Sequence, residues 1–187
     1  MKERNIFFKC LISFNDFKEK SSDEIIDIIA TNLYKNENLN IKDEEIFYNL
    51  PEVIRDIILL IDFDTEVTMQ GILGFLENST GFYLKDTINT FEKIQANEDH
   101  IILNKIESIL KKYNISTRGL RNNVNKQGLY NIKNFEELHG TDYENMAEEL
   151  SILADNLYIY HEERNVFDLL SKYVSREKNF LIRELEI

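Results

Sequence analysis

Acidic side chains dominate the residues that could carry out chemistry. Three of them, Asp62, Asp64 and Glu66, occupy alternate positions. In an extended backbone alternate side chains point to one face, and carboxylate oxygens are ligands for hard divalent cations. On a helix the three would point apart, and Asp64 is also suited to cap a following helix. We therefore keep a metal-dependent enzyme only as an alternative, and assign no catalytic residue, no metal site and no cofactor.

Other catalytic patterns are missing from the sequence. It has no glycine-rich phosphate loop, no Gly-x-Ser-x-Gly motif and no His-Glu-x-x-His pair, and His100, His139 and His161 are far apart. Cys10 is the single cysteine, which excludes an internal disulfide and favours a reducing compartment. The pattern of neither a signal peptide nor a membrane span is present, since the longest aliphatic run is 57–61. We expect a cytoplasmic protein that is not an enzyme.

The net charge restricts the class of partner. The chain has 34 acidic and 22 basic residues, a formal charge of −12. Such a surface repels phosphates, which argues against direct binding to nucleic acid or to an anionic membrane. The charge therefore predicts a basic protein partner.

Two segments hold a disproportionate share of the acids. Residues 43–66 contain eight acids and one base, and residues 135–163 contain nine acids with no Lys or Arg. Between them the chain is basic, with seven Lys or Arg residues from Lys105 to Lys133. A partner-binding acidic face and an ordinary solvated helix face both fit this pattern. The predicted partner-binding residues are Glu144, Glu148, Glu149, Asp155, Glu162 and Glu163 in the second segment, and Glu44, Glu45, Glu52 and Asp56 in the first.

Apolar spacing and the scarcity of helix breakers predict the elements that position these acids. One proline and six glycines occur in 187 residues. Helices are predicted from Ser22 or Asp23 to Tyr34, from Pro51 through the apolar stretch to 61, and over 65–77, 85–95 and 99–113. Residues 36–40 are predicted to be a polar turn and 114–134 a long polar connection.

Two further helices are predicted nearer the end of the sequence. The first has Met146, Leu150, Leu153 and Leu157 on one face, with Glu144, Glu148, Asp155 and Glu162 opposite as a single stripe, and the second begins near Val166. No internal repeat appears. The sequence therefore predicts an all-α fold, a compact single-domain array of about seven to nine helices over 1–187.

A set of residues around the predicted central helix resembles a known family. Leu-Pro at 50–51 is followed at fixed spacing by Glu66, Gly71, Phe75, Asn78 and Gly81. This pattern is similar to that of the DMP19-like family, also described as the DUF4375 domain, over residues 49–180, with 1–48 as an N-terminal helical extension outside the resemblance. Pro51, Glu66, Gly71, Asn78 and Gly81 form the shared motif, and we expect them to cap helices and permit tight turns.

The resemblance also implies a function. The name-giving family members are acidic, dimeric DNA mimics whose carboxylates occupy the DNA-binding face of a transcription factor. Here it implies an acidic protein-binding regulator that acts as a DNA mimic on a DNA-binding protein, and it adds a homodimer as a candidate assembly. Two alternatives stay open, an immunity-type inhibitor of a basic toxin and the metal-dependent enzyme.

Overall fold

Helices make up the regular structure of the chain, as the scarcity of glycine and proline predicts. The computed structural model describes residues 9–126, 135–140 and 143–185, and these residues contain no strand. The α-helices are α1 (Phe14–Glu19), α2 (Ser22–Leu33), α3 (Glu44–Asn49), α4 (Glu52–Glu77), α5 (Leu84–Lys93), α6 (Asn97–Lys112), α7 (Thr117–Asn125), α8 (Phe135–His139), α9 (Glu144–Ala154) and α10 (Val166–Leu185). Short 3₁₀ helices are found at Asn36–Lys42, Ser79–Tyr83 and Tyr158–Tyr160.

The all-α prediction is confirmed. Seven of the described α-helices have nine or more residues, which agrees with the predicted number, and shorter helices add to them. The helices predicted over 22–34, 85–95 and 99–113 are present as α2, α5 and α6, with ends shifted by at most two residues. Ser21 rather than Ser22 caps α2, through a capping box in which the Ser21 hydroxyl accepts from the Glu24 N–H.

Helix α4 corrects the predicted break near residue 64. The prediction placed two helices here with Asp64 as an N-cap, whereas the break lies at Gly71, whose φ of 69° and ψ of −177° divide α4 (Glu52–Glu77) into two helical segments. Asp64 is thus an internal helical residue. Pro51 immediately precedes α4, and its carbonyl accepts from the N–H groups of Ile54 and Arg55 at 3.0 and 3.1 Å.

Two other predictions for connecting segments are wrong. Residues 36–42 form a 3₁₀ helix instead of a polar turn. The predicted polar connection over 114–134 contains α7, whose N-cap Ser116 accepts from the Gly119 N–H. Positions 127–134 of that prediction lie outside the described residues.

The chain divides into two compact units. The first comprises the described residues of 1–61 and 166–187, and the second comprises those of 62–165. In the first unit, α10 packs against α1 and α2. The Ser22 and Ser175 hydroxyl oxygens lie 2.6 Å apart, and Lys178 donates to the Lys20 carbonyl at 2.5 Å. That residues 1–187 form a single domain remains a prediction.

The second unit has an aromatic centre. The Phe63 ring makes edge contacts with the rings of Phe75 and Phe91, at centroid distances of 4.9 and 5.3 Å. Around this centre α5 packs on α6, α6 packs on α9, and α7 packs on the Ser79–Tyr83 segment. The second acidic segment is therefore presented by helices that share a buried apolar core.

Candidate functional site

The second acidic segment presents five of its six predicted carboxylates to solvent. Glu144, Glu148, Asp155, Glu162 and Glu163 are exposed, and we call these five residues the acidic surface. Met146, Leu150 and Leu157 are fully buried, as the apolar spacing predicts, whereas Leu153 of the same predicted face is only partly buried. The predicted single helical stripe is wrong, however, because α9 ends at Ala154. Asp155 and Glu162 therefore lie in the irregular segment that follows the helix.

Helix α9 ends without a glycine or a proline, and a neighbouring asparagine side chain binds the carbonyls of its last turn. The Asn156 side chain turns back and donates through Nδ2 to the carbonyls of Ile152 and Leu153, at 3.3 and 3.4 Å. These carbonyls belong to the last turn of α9, where the regular helical hydrogen bonds run out, and the Leu153 carbonyl also accepts from the Asn156 backbone N–H at 3.3 Å. Leu157 then adopts an extended conformation and starts the Tyr158–Tyr160 segment.

Glu149 differs from the other acids of the segment. Its carboxylate accepts hydrogen bonds from Lys112 Nζ at 2.8 and 3.0 Å and from the Tyr113 hydroxyl at 3.0 Å. The hydrogen bond from Lys112 lowers the pKa of Glu149, and the same bond raises the pKa of Lys112. Glu149 is therefore a partly neutralised carboxylate, and we do not count it in the acidic surface.

Several side chains of the predicted basic stretch are also engaged within the second unit. Lys111 binds Glu107 at 2.7 Å. The Arg118 guanidinium lies 4.6 Å from the centre of the Phe82 ring, and Arg121 Nη1 donates to Asn78 Oδ1 at 3.4 Å. These basic side chains therefore stabilise contacts within the fold, a role that the count of charges in the sequence does not reveal.

The first acidic segment requires one correction. Glu44, Glu45 and Glu52 are exposed, whereas Asp56 is only 2% exposed and cannot be part of a partner-binding face. Its carboxylate accepts a hydrogen bond of 2.6 Å from the Tyr173 hydroxyl. Burial, together with the nearby Asp56 charge, raises the pKa of Tyr173 far above its usual value of about 10. Asp56 is therefore a structural residue of the first unit.

The motif shared with the family forms a polar network. Asn78 Nδ2 donates to the Glu66 carboxylate at 2.5 Å, and Asn78 Oδ1 accepts from Arg121. The Asn78 carbonyl in turn accepts from the Gly81 N–H at 3.1 Å. Asn78 thus connects α4 to α7 and to the Ser79–Tyr83 segment. Helix capping, the role expected for these two side chains, is not what they do: Glu66 lies inside α4, and the Asn78 side chain makes no capping hydrogen bond.

The motif glycines act in two different ways. Gly71 has a backbone conformation that is nearly exclusive to glycine, and its missing side chain leaves open space. Gly81 is required for close approach, because a Cβ there would lie 2.7 Å from the Phe75 carbonyl oxygen and 2.8 Å from that of Leu76. Both support the expectation that the motif shapes the backbone at the end of α4.

The three alternating acids do not converge. All lie in helix α4, where the extended backbone that a shared site would need is absent. Asp64 accepts a hydrogen bond of 2.7 Å from the Tyr158 hydroxyl, Glu66 binds Asn78, and Asp62 is buried. The described part of the chain contains no cluster of three or more His, Cys, Asp or Glu side chains arranged to hold a metal ion.

One group of interacting residues, around Asp99, could not be predicted from the sequence. Asp99 is 2% exposed, accepts from the Tyr158 N–H at 2.8 Å, and lies 3.7 Å from Arg164 Nη1. Burial raises the pKa of Asp99. Arg164 also binds Glu98 at 2.8 Å and donates to the Asn156 carbonyl. These partners are about 60 residues apart in sequence, and no local pattern signals their contact.

Comparison with known proteins adds the family. In the described residues no helix is both long and apolar enough to cross a membrane. No curated protein and no solved structure matches the chain. The model of one family, described as DMP19-like protein, matches residues 48–177. Because this match covers more than half of the sequence and includes the Glu66–Asn78 network, the chain belongs to the DMP19-like protein family.

Proposed function

We propose that this protein is an acidic protein-binding regulator that acts as a DNA mimic, occupying the basic DNA-binding face of a partner protein. The observation that carries the proposal is the exposure of the acidic surface within a stretch, 135–163, that contains no Lys or Arg. The apolar side of α9 is buried and anchors these carboxylates to a helical core. Membership of the DMP19-like family is consistent with this function.

The electrostatics of the surface support competition with DNA. Glu144 and Glu148 are one four-residue step apart on α9, a rise of about 6 Å. Duplex DNA carries one negative charge per roughly 1.7 Å of its axis, and carboxylates accept charge-assisted hydrogen bonds from the same Lys and Arg groups that bind phosphates. A partner's basic face is therefore expected to bind this surface with a strong dependence on salt.

The test begins with capture of the partner from the source cell and continues with matched variants. The first variant combines Glu144→Gln, Glu148→Gln and Asp155→Asn in the acidic surface. The control combines Glu19→Gln, Asp27→Asn and Glu92→Gln, three exposed acids outside both acidic segments. Both remove three carboxylates, so a difference between them reports on position rather than on net charge.

The expected result is a slower association rate for the surface variant and a weaker salt dependence of binding, with the control close to the native protein. Exposed charges steer encounter over about 8–10 Å, and removal of three should reduce the association rate by roughly tenfold at low salt. Equal binding by both variants would show that these carboxylates are only a solvated face. The partner's identity then separates a DNA-binding protein from a basic toxin.

A further inference from the structure

A cleft of about 350 Å³ lies in the second unit beside the acidic surface. Its apolar wall comes from Ile101 and Ile102 of α6, and Ile101 is 53% exposed. Small-ligand sites have volumes of roughly 300–1,000 Å³, so this cleft is at the small end of that range. A volume of this size suits a single long side chain better than an extended segment.

The polar lining of the cleft consists mainly of hydrogen-bond acceptors. The carboxylates of Glu98 and Glu163 lie at the rim, with side chains 75% and 78% exposed. Asn156 uses Nδ2 on the carbonyls of its own helix end, so Oδ1 is the atom that it can offer to a ligand. The lining therefore favours a ligand that donates several hydrogen bonds and carries positive charge.

His161 adds a ring nitrogen that can accept a hydrogen bond and has no donor among the described residues. Its Nε2 is buried and has no hydrogen-bond partner among the described residues, while Nδ1 lies 3.8 Å from the Glu163 carboxylate. The tautomer with its proton on Nδ1, facing Glu163, leaves Nε2 as an acceptor. A buried polar atom without a partner costs free energy, and rotation of the His161 ring into the cleft would let a bound donor remove that cost.

A guanidinium is already held at the edge of this cleft. Arg164 belongs to the lining, binds Glu98 at 2.8 Å and donates to the Asn156 carbonyl. Arg164 thus binds one of the two rim carboxylates, Glu98, and leaves Asn156 Oδ1 and His161 Nε2 without a donor from its guanidinium. Among the described residues, the Glu163 carboxylate has only the 3.8 Å contact with His161 Nδ1 as an ion pair.

We propose that this cleft binds an arginine side chain of the basic partner, with the aliphatic part against Ile101 and Ile102 and the guanidinium donating to Glu163 and Asn156, and to His161 Nε2 once that ring turns toward the ligand. Arginine fits better than lysine because its planar head carries five donors and is weakly hydrated, and its apolar stem packs on aliphatic surface. The proposal rests on the proposed function, and it names the side chain by which the acidic surface recognises one partner among many basic proteins.

The experiment uses the ¹⁵N-labelled full chain and the blocked tripeptide acetyl-Gly-Arg-Gly-amide as the probe. Matched probes carry lysine, or citrulline, which has the shape of arginine without its charge. We expect saturable chemical-shift changes at residues 98–102 and 156–164 with the arginine probe, binding roughly threefold weaker with lysine, and no saturation with citrulline. Equal binding of citrulline, or changes spread evenly over Glu144 and Glu148, would overturn the proposal.

Two variants and one control complete the test. Ile101→Ala should weaken the arginine probe by about fivefold through lost apolar contact, and Glu163→Gln by about threefold through lost charge. Glu92→Gln, an exposed acid outside the cleft lining, should bind like the native protein. Since Glu163 is mostly exposed, its variant keeps the test valid even if Ile101→Ala fails to fold. Unchanged affinity of Glu163→Gln would contradict the proposed contact.

Failure of this proposal can be told apart from failure of the proposed function. If the partner responds to neutralisation of Glu144, Glu148 and Asp155 but the arginine probe leaves the cleft unperturbed, only the arginine site is wrong. If the probe binds in the cleft but the partner ignores the neutralised carboxylates, the DNA-mimic function is wrong.

Discussion

Replacement of Gly81 by alanine tests whether the family motif is structural. Gly81 lies in the 3₁₀ segment Ser79–Tyr83, directly beneath the last turns of α4. A Cβ at this position would lie 2.7 Å from the Phe75 carbonyl oxygen and 2.8 Å from the Leu76 carbonyl oxygen. Ordinary contacts begin near 3.4 Å, so each oxygen would have to move by about 0.6–0.7 Å. Both atoms belong to the helix backbone, which cannot rotate aside.

The magnitude follows from this geometry. Overpacking a buried site costs about 1–3 kcal/mol, and the upper end applies because backbone rather than a flexible side chain must move. Alanine also restricts the unfolded chain, which offsets roughly 0.4–1 kcal/mol. We therefore expect Gly81→Ala to lower the free energy of unfolding by about 2 kcal/mol, a large part of the roughly 5–15 kcal/mol typical of a domain.

Urea unfolding followed by circular dichroism at 222 nm provides the assay. The control is Gly119→Ala in α7, where the nearest atom to an added Cβ is the Ser116 Oγ at 3.3 Å, a side-chain atom that can shift. Its change in stability should stay within about 1 kcal/mol. If Gly81→Ala loses no more stability than Gly119→Ala, or if it abolishes partner binding while its unfolding curve is native, the structural interpretation of the motif is wrong.

Three further predictions follow from other described residues. Gly71→Ala should cost about 1–3 kcal/mol from backbone strain alone, since nothing lies within 4 Å of an added Cβ, and an unchanged urea midpoint would refute this. Burial, and then the charges of Asp64 and Asp56, raise the pKa values of Tyr158 and Tyr173. Their contribution to the free energy of unfolding is therefore complete below about pH 10, the usual tyrosine pKa. Above that pH the unfolded chain deprotonates first, and stability falls by up to about 1.4 kcal/mol per pH unit for each tyrosine. A Tyr158→Phe and Tyr173→Phe double variant with an unchanged alkaline slope would contradict that cause. The hydrogen bond from the Ser21 N–H, then those from Lys20 and the Ser21 hydroxyl, lower the pKa of Glu24 to about 2. The stabilising effect of Glu24 is therefore present above the usual pKa of 4.5 and is lost as the pH falls through 2. An NMR titration of the Glu24 carboxyl should show a midpoint near 2, and a midpoint near 4.5 would refute the capping-box geometry.

Helices with a continuous apolar face could be predicted from the sequence. Ile25, Ile29 and Leu33 of α2 recur at helical spacing and are buried, so the pattern directly records the packed side of the helix. The family resemblance could be recognised for a similar reason, because glycine at a fixed position records a local backbone requirement. Both signals lie within a few residues of the feature that they predict.

The failures occurred where stabilising contacts come from distant residues. Helix α7 buries only Leu120, so it shows no apolar period, and Arg118 and Arg121 contact Phe82 and Asn78 some 40 residues away. In the sequence Asp56 is one more acid of an acidic segment, yet in the fold it binds a tyrosine 117 positions later. A single sequence contains no record of such pairs, so surface and buried carboxylates look alike in it.

The division of the chain means that the two parts of the first unit are synthesised at different times. Helices α1 and α2 belong to a unit whose last component, α10, begins only at Val166, and the Ser22–Ser175 contact spans 153 residues. At roughly 5–20 residues per second, about 5–20 s pass on the ribosome between completion of residue 61 and the appearance of α10. All residues of the second unit are translated in that interval. Helix α2, with the buried Ile25 and Ile29, is thus synthesised well before α10, which packs against it, so the first unit can complete its packing only after the second unit has been translated.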